Sequence, residues 1–183
     1  GKWVEPFKPN DFEVINPSNE ETCAVVSLGN EEDVNSAVKA AKESFPRWSR
    51  VEKKYKISLI EKLYKIYESR WEEMTKSISL EMGAPIDWAS SAQTSSGADH
   101  IKDFIKRLKD FEFEFEFNKE SDNYIAYEPI GVCGLITPWN WPINQISLKV
   151  IPALAAGCTM ILKPSEIAPL SGMLFAEMLD ESG

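Results

Sequence analysis

Histidine is nearly missing from this chain: His100 is the single one in 183 residues. No cysteine, aspartate or glutamate stands around it at metal-ligand spacing, so no metal centre is expected and the ring reads as a surface or helix-packing group. Cysteine is scarce too. Cys23, Cys133 and Cys158 form no CxxC pair and are too scattered for a disulfide framework, which points to reduced thiols in a reducing compartment. Cys133 and Cys158 lie in apolar, strand-like segments, where a thiol is expected to be buried, raised in pKa and inert. Long apolar runs are also absent. No stretch reaches the roughly 18 residues of a membrane span, and the most apolar, residues 148–162, is broken by Pro152 and Gly157. There is no basic surplus either. Against 29 Asp and Glu stand only 20 Lys and Arg, for a formal charge of −9 and a pI of about 4.8. Such a balance opposes attraction to phosphate backbones and anionic lipid, so no nucleic acid and no membrane surface is expected as a partner. With no charged-then-apolar leader at the start, a cytoplasmic location is expected.

What is present suits a folded domain. The length is that of one ordinary domain, and 43% hydrophobic residues can supply a sizeable core. Position 1 is Gly rather than Met, and Gly183 falls where a glycine would cap a helix over residues 170–180. Both ends are therefore expected to be cuts in something longer.

Along the chain, two short β-type runs at 12–15 and 22–27 flank the turn-rich NPSNE and predict a hairpin. Asn30, followed by Glu31, Glu32 and Asp33, predicts an N-cap and a helix to about Ser44. Apolar residues at helical spacing over 52–82 predict one long helix or two abutting ones, stopped by MGAP. A further helix is expected over 87–108. It leads into FEFEFEF at 111–117, a strict alternation of Phe and Glu, which NKESD turns and NYIAYE returns. Its phenylalanines need a cover, either the preceding helix or a neighbouring subunit. After Pro129 the texture changes: an apolar run at 131–137, a helix over 142–156 and another apolar strand at 159–163. Strand, crossover helix and strand without alternation predict parallel strands covered on both faces.

Ligands of a parallel α/β sheet sit at the carboxyl ends of its strands. Here those ends deliver PWNWP and KPSE, so Asn140, Lys163 and Glu166 are expected to face one cleft. An amide between two tryptophans and two prolines is either satisfied locally or reserves its donors, because burying it unpaired costs about 1–3 kcal/mol. The residues alone favour a turn or N-cap role for Asn140 and a surface ion pair for Lys163 with Glu166.

GLITPWNWP followed by IPALAAGCTMILKPSEIAPLS closely resembles the first half of the coenzyme domain of NAD(P)-dependent aldehyde dehydrogenases. INPSNEE, AAKESFPRWS and ISLEMGAP extend the resemblance over essentially the whole chain. It implies that Asn140 donates a hydrogen bond to the oxyanion formed when a cysteine thiolate attacks the aldehyde. Lys163 and Glu166 would grip the adenosine ribose, with Ser165 in the same loop. Ile136, Thr137, Pro138 and Trp139 would form the wall beside the nicotinamide half. A carboxylate at Glu166 repels a 2′-phosphate, so NAD rather than NADP is the expected cofactor. Trp141 departs from the family's usual Phe.

The expected fold is therefore α/β, the N-terminal part of an aldehyde dehydrogenase. Residues 1–110 would form an N-terminal hairpin and helical layer, 111–129 an oligomerisation β-hairpin, and 130–183 the first strands of an incomplete Rossmann-like sheet. By the resemblance the nucleophile, the general base and the glycine-rich loop lie beyond Gly183. The piece alone is then expected to be inactive, its full-length parent oxidising a small aldehyde as a homodimer or homotetramer. The alternative is a non-catalytic short form or interaction protein that keeps the fold.

Overall fold

Asn16 turns the first hairpin by accepting from the backbone N–H of Ser18, as Asx residues do in tight turns. Strands β1 (Asp11–Asn16) and β2 (Glu21–Ser27) pair antiparallel on either side of it, with a bulge between Val14 and Ile15. The computed structural model describes residues 2–118 and 122–183. Helix α1 (Glu31–Trp48) starts where expected: Asn30 accepts from the N–H of Asp33, whose carboxylate accepts from Asn30 in return. The helix runs four residues past the expected end, with Pro46 in its last turn.

The long apolar pattern is two helices, α2 (Lys53–Ser69) and α3 (Trp71–Met82), broken at Arg70. That side chain is the clasp of the joint, bonding Glu73 on α3 and both Glu177 and Glu181 farther down the chain. Gly83 then ends α3 in the left-handed region at φ +76, where a side chain would press on Pro17.

The next expected helix is not continuous. A single turn, α4 (Ile86–Trp88), passes into a π-helical segment over Ala89–Thr94 before α5 (Ser95–Asp110). The widening lets the buried Tyr67 hydroxyl of α2 donate to the Thr94 carbonyl at 2.8 Å. Gly97 sits directly under that hydroxyl, and a β-carbon there would lie 2.5 Å from it.

The phenylalanine strand is much shorter than its alternation suggests. Only β3 (Glu114–Glu116) and β4 (Tyr124–Ala126) pair, and the middle of the expected NKESD turn, residues 119–121, lies outside the described residues. Phe113 packs inward beside Lys56, whose buried ammonium also lies over the Trp48 ring. Burial holds the Lys56 pKa below its usual value. Phe111, Phe115 and Phe117 remain exposed, with Phe111 and Phe115 grouped around Tyr127.

Strand β5 (Val132–Ile136), helix α6 (Pro142–Ala156) and strand β6 (Thr159–Lys163) follow in the predicted order, but no residue of either strand is fully buried, so the two-stranded sheet is not covered on both faces by this chain. Pro142 opens α6, Gly157 closes it in the left-handed region, and β5 and β6 pair in parallel. Helix α7 (Leu170–Ser182) returns over α2 and α3. The core lies among these helices, with Leu63, Tyr67, Ile78, Ile101, Ile146 and Phe175 at its centre.

Candidate functional site

The parallel register sets Ile136 opposite Lys163, so the last residues of β5 and β6 are neighbours. The ladder runs one step further, with the Thr137 N–H donating to the Lys163 carbonyl at 3.3 Å. The loops carrying PWN and KPSE therefore leave the sheet side by side, as the spacing predicts.

Within the second loop the Lys163 ammonium donates to the Glu166 carboxylate at 2.8 Å, and both side chains are exposed. That bond holds the Glu166 carboxyl below the usual carboxylate range. Ser165 shapes the same loop, its hydroxyl accepting from the Ile167 N–H at 3.3 Å. Across from it, Ile136, Pro138 and Trp139 form an exposed wall, while Thr137 is buried and its hydroxyl has no hydrogen-bond partner among the described residues.

Asn140 corrects two sequence readings. It is exposed rather than enclosed by apolar bulk, because Trp139 turns outward and Trp141 turns away to meet Trp88 edge-on at 5.1 Å. Nor is it the N-cap of α6, a position held by Trp141 with no side-chain cap bond. The amide is thus left facing out of this chain.

The other reactive groups lie elsewhere. Cys133 is the second residue of β5 and Cys158 precedes β6, both toward the amino ends of the strands. Cys158 is buried, and burial with Cys158 beside it pushes the Cys133 thiol up. His100 pairs with Asn144 at 2.9 Å, joining α5 to α6 as a packing residue. No cluster of metal-ligating side chains occurs among the described residues, and no described helix is long and apolar enough to cross a membrane.

A family profile described as "Aldehyde dehydrogenase family" matches residues 3–183. The chain belongs to the aldehyde dehydrogenase family. Its fold is the N-terminal portion of the aldehyde dehydrogenase fold. A 3-succinoylsemialdehyde-pyridine dehydrogenase of a Pseudomonas species is 47% identical, with 100% of this chain covering 38% of that protein. The crystal structure of an aldehyde dehydrogenase from Bartonella henselae superimposes with a TM-score of 0.97 at 54% identity, over 99% of this chain and 38% of that one. Aldehyde dehydrogenase C of Pseudomonas syringae, a cysteine-to-alanine variant in complex with NAD+ and octanal, gives 0.95 at 42% identity, over 100% and 37%. The chain thus spans 38% of the length of the curated relative.

Two residues of this aldehyde dehydrogenase segment escaped the sequence reading. Trp88 is the ring partner of Trp141, and nothing in the sequence pairs positions 53 residues apart. Glu81, inside ISLEMGAP, is the other: it is 1% exposed, and its carboxylate accepts from the backbone N–H groups of Leu170 and Ser171. Burial pushes its pKa up to about 6, against the lowering effect of those bonds. A signal was available in Pro169, which starts α7 and offers no cap of its own.

Proposed function

We propose that this chain is the N-terminal portion of a cytoplasmic, NAD-dependent aldehyde dehydrogenase that oxidises an aldehyde to a carboxylic acid and assembles as a homodimer or homotetramer. The observation that carries the reading is the Ile136–Lys163 register, which brings the Asn140 loop and the Lys163–Glu166 loop to one sheet edge. Residues 1–110 serve as its N-terminal hairpin and helical layer, 111–129 as its oligomerisation hairpin, and 130–183 as the first strands of its coenzyme domain.

The donor set fits a dinucleotide. An exposed ammonium and carboxylate already paired in one loop match the donor and acceptor needs of a ribose diol. The exposed Ile136 and Trp139, with the unpartnered Thr137 hydroxyl beneath them, supply an apolar wall with polar backing. Lys163, Ser165 and Glu166 would hold the adenosine ribose, and Ile136, Thr137, Pro138 and Trp139 would flank the nicotinamide. When bound, NAD supplies the hydride acceptor. The Glu166 carboxylate disfavours a 2′-phosphate at the same place.

Asn140 donates its amide N–H to the aldehyde oxygen as negative charge grows there during attack by a cysteine thiolate. A neutral donor fixed in advance stabilises that charge without solvent rearrangement, an effect worth about 3–4 kcal/mol. Loss of a hydride from the thiohemiacetal to the bound coenzyme would leave a thioester, and its hydrolysis by water would give the acid and free the thiol again. None of the three cysteines fits the role of that thiolate, since Cys133 and Cys158 stand toward the far ends of the strands and Cys23 lies on β2 with its thiol pushed up by burial.

The test is an assay of NADH formation with a panel of aldehydes. The full-length dehydrogenase carrying this segment should turn over with NAD preferred to NADP, and the 183-residue chain alone should not. Turnover by the repurified short chain, or none by the full-length protein, overturns the reading.

A further inference from the structure

The loop bearing Lys163, Ser165 and Glu166 runs directly into α7, and α7 begins without a cap of its own. Its N-cap is Pro169, no side-chain cap bond is made there, and its first turn holds no acidic residue. Four N–H groups at a helix start need acceptors. Two of them find Glu81, which reaches across from the last turn of α3: Leu170 donates to one carboxylate oxygen, and Ser171 to the other at 3.1 Å.

This placement is costly for a group with only a packing role. Glu81 is 1% exposed, and no basic side chain among the described residues pairs with it. It also stands at the negative end of α3, where that helix's own dipole opposes a carboxylate. The one titratable neighbour that senses it is Cys23 of β2, whose thiol it helps push up and so keeps neutral. The favourable interactions left to the carboxylate are the N–H groups and positive dipole of α7. A charge-assisted bond of this kind is about twice as strong as a neutral one and fixes direction as well as distance.

We propose that Glu81 is a positioning residue for coenzyme binding: by clamping the first two N–H groups of α7 it holds residues 163–169 in the conformation that presents Lys163 and Glu166 to the ribose. The inference rests on the reading of that loop as the ribose site. Glu81 touches no coenzyme itself; it acts through the backbone of Leu170 and Ser171. Apolar contacts of α7 with α2 and α3 keep the helix folded without the clamp, as Leu174, Phe175 and Met178 are all buried. The clamp therefore governs where the helix starts rather than whether it forms.

Glu81→Gln in the full-length dehydrogenase keeps the shape and replaces one acceptor oxygen with a donor. Titration with NADH, followed by its fluorescence, should show Kd raised about tenfold, the loss expected for one charge-assisted bond. Adenosine monophosphate, which carries the same ribose, should weaken by the same factor. At saturating NAD, kcat should stay within about twofold. The thermal midpoint at pH 8 should be unchanged or higher, because a buried unpaired charge has been removed. A merely structural role would lower the midpoint and move kcat together with KM. Should the Gln variant be insoluble, Glu81→Asp keeps the charge, draws it back by one methylene, and should raise Kd about threefold. Unchanged NADH and adenosine monophosphate affinity in either soluble variant, or loss that tracks a lowered midpoint, overturns this inference alone. Failure of the wild-type enzyme to bind NADH overturns the ribose reading and this inference with it.

Discussion

The interior bounded by α2, α3, α5, α6 and α7 is closed by the chain's own side chains, whereas the rim is left open at two separate places, the β3–β4 hairpin beside the end of α6 and the carboxyl ends of β5 and β6. Tyr67, Ile101, Ile146 and Phe175 have no accessible surface in the first region; Ile136 is 73% exposed and Phe117 63% in the second. Both regions are rich in large apolar residues, so composition does not separate them. What separates them is whether the partner surface belongs to these residues. An interior that completes itself reports on folding, and a rim that does not is where a substitution can act without disturbing the fold.

Mutations should respect that division. The largest effect is expected at the rim: Asn140→Ala in the full-length dehydrogenase should lower kcat by roughly 10²–10³ with little change in NADH affinity, because its bond forms mainly in the transition state. Steady-state kinetics beside NADH titration checks it, and an unchanged kcat rejects the oxyanion role. Thermal stability should not move, since the amide is exposed and makes no bond within the described residues.

In the interior the opposite pattern is expected. Gly97→Ala places a methyl group 2.5 Å from the Tyr67 hydroxyl and 2.9 Å from Ile143, both fully buried. Overpacking of this kind costs about 1–3 kcal/mol, more than the roughly 1 kcal/mol that alanine gains in helix propensity. Denaturant unfolding should show the loss while NADH affinity stays at the wild-type value. A stabilised variant would mean that the π-helical segment shifts to relieve the contact.

At the hairpin the expected effect falls on assembly rather than on catalysis. Phe111, Phe113 and Tyr127 line a groove of about 840 Å³ with Phe104, Leu108 and Pro152, and of the three hairpin rings Phe113 is the one packed against the core. Replacing Phe113 and Phe115 together with Ser should shift the full-length protein toward smaller species with its circular dichroism intact. Light scattering decides: an unchanged mass with intact folding places these rings in the service of the subunit's own interior.

The same contrast explains what the sequence disclosed. Elements with explicit ends were legible, as with Pro142 and Gly157 around α6 and Asn30 with Asp33 before α1, because caps satisfy local donors and acceptors and leave local marks. Alternation in FEFEFEF specified a face but not a partner, so it overstated a strand of which only three residues pair. The π-helical turn at ASSAQT followed from a demand made by Tyr67, more than 20 residues earlier, and had no local sign. At the site, the juxtaposition of the two loops was legible because parallel pairing follows from the texture of β5 and β6. The exposure of Asn140 was not, since its surroundings depend on which way Trp139 and Trp141 turn. For Glu81 only half the signal was local: Pro169 marks a helix start in need of an acceptor, but the partners of Glu81 are 89 and 90 positions away.

Glu166, within the loop that follows β6, and Glu81, bonded to the start of α7, give the chain opposed proton linkages. Glu166 has its pKa lowered by Lys163, so its contribution to stability is present above the carboxylate's ordinary pKa and fades as pH falls. Its exposure keeps that contribution small. For Glu81 the folded value of about 6 lies above the ordinary 4.5, so the native state holds its proton where the unfolded chain has released it. Its contribution is complete below about 4.5 and is lost as pH rises through about 6, by roughly 2 kcal/mol. At neutral pH the protein therefore carries an ionised Glu81 at some expense to global stability, and folding under mildly acidic conditions is coupled to uptake of a proton at the start of α7.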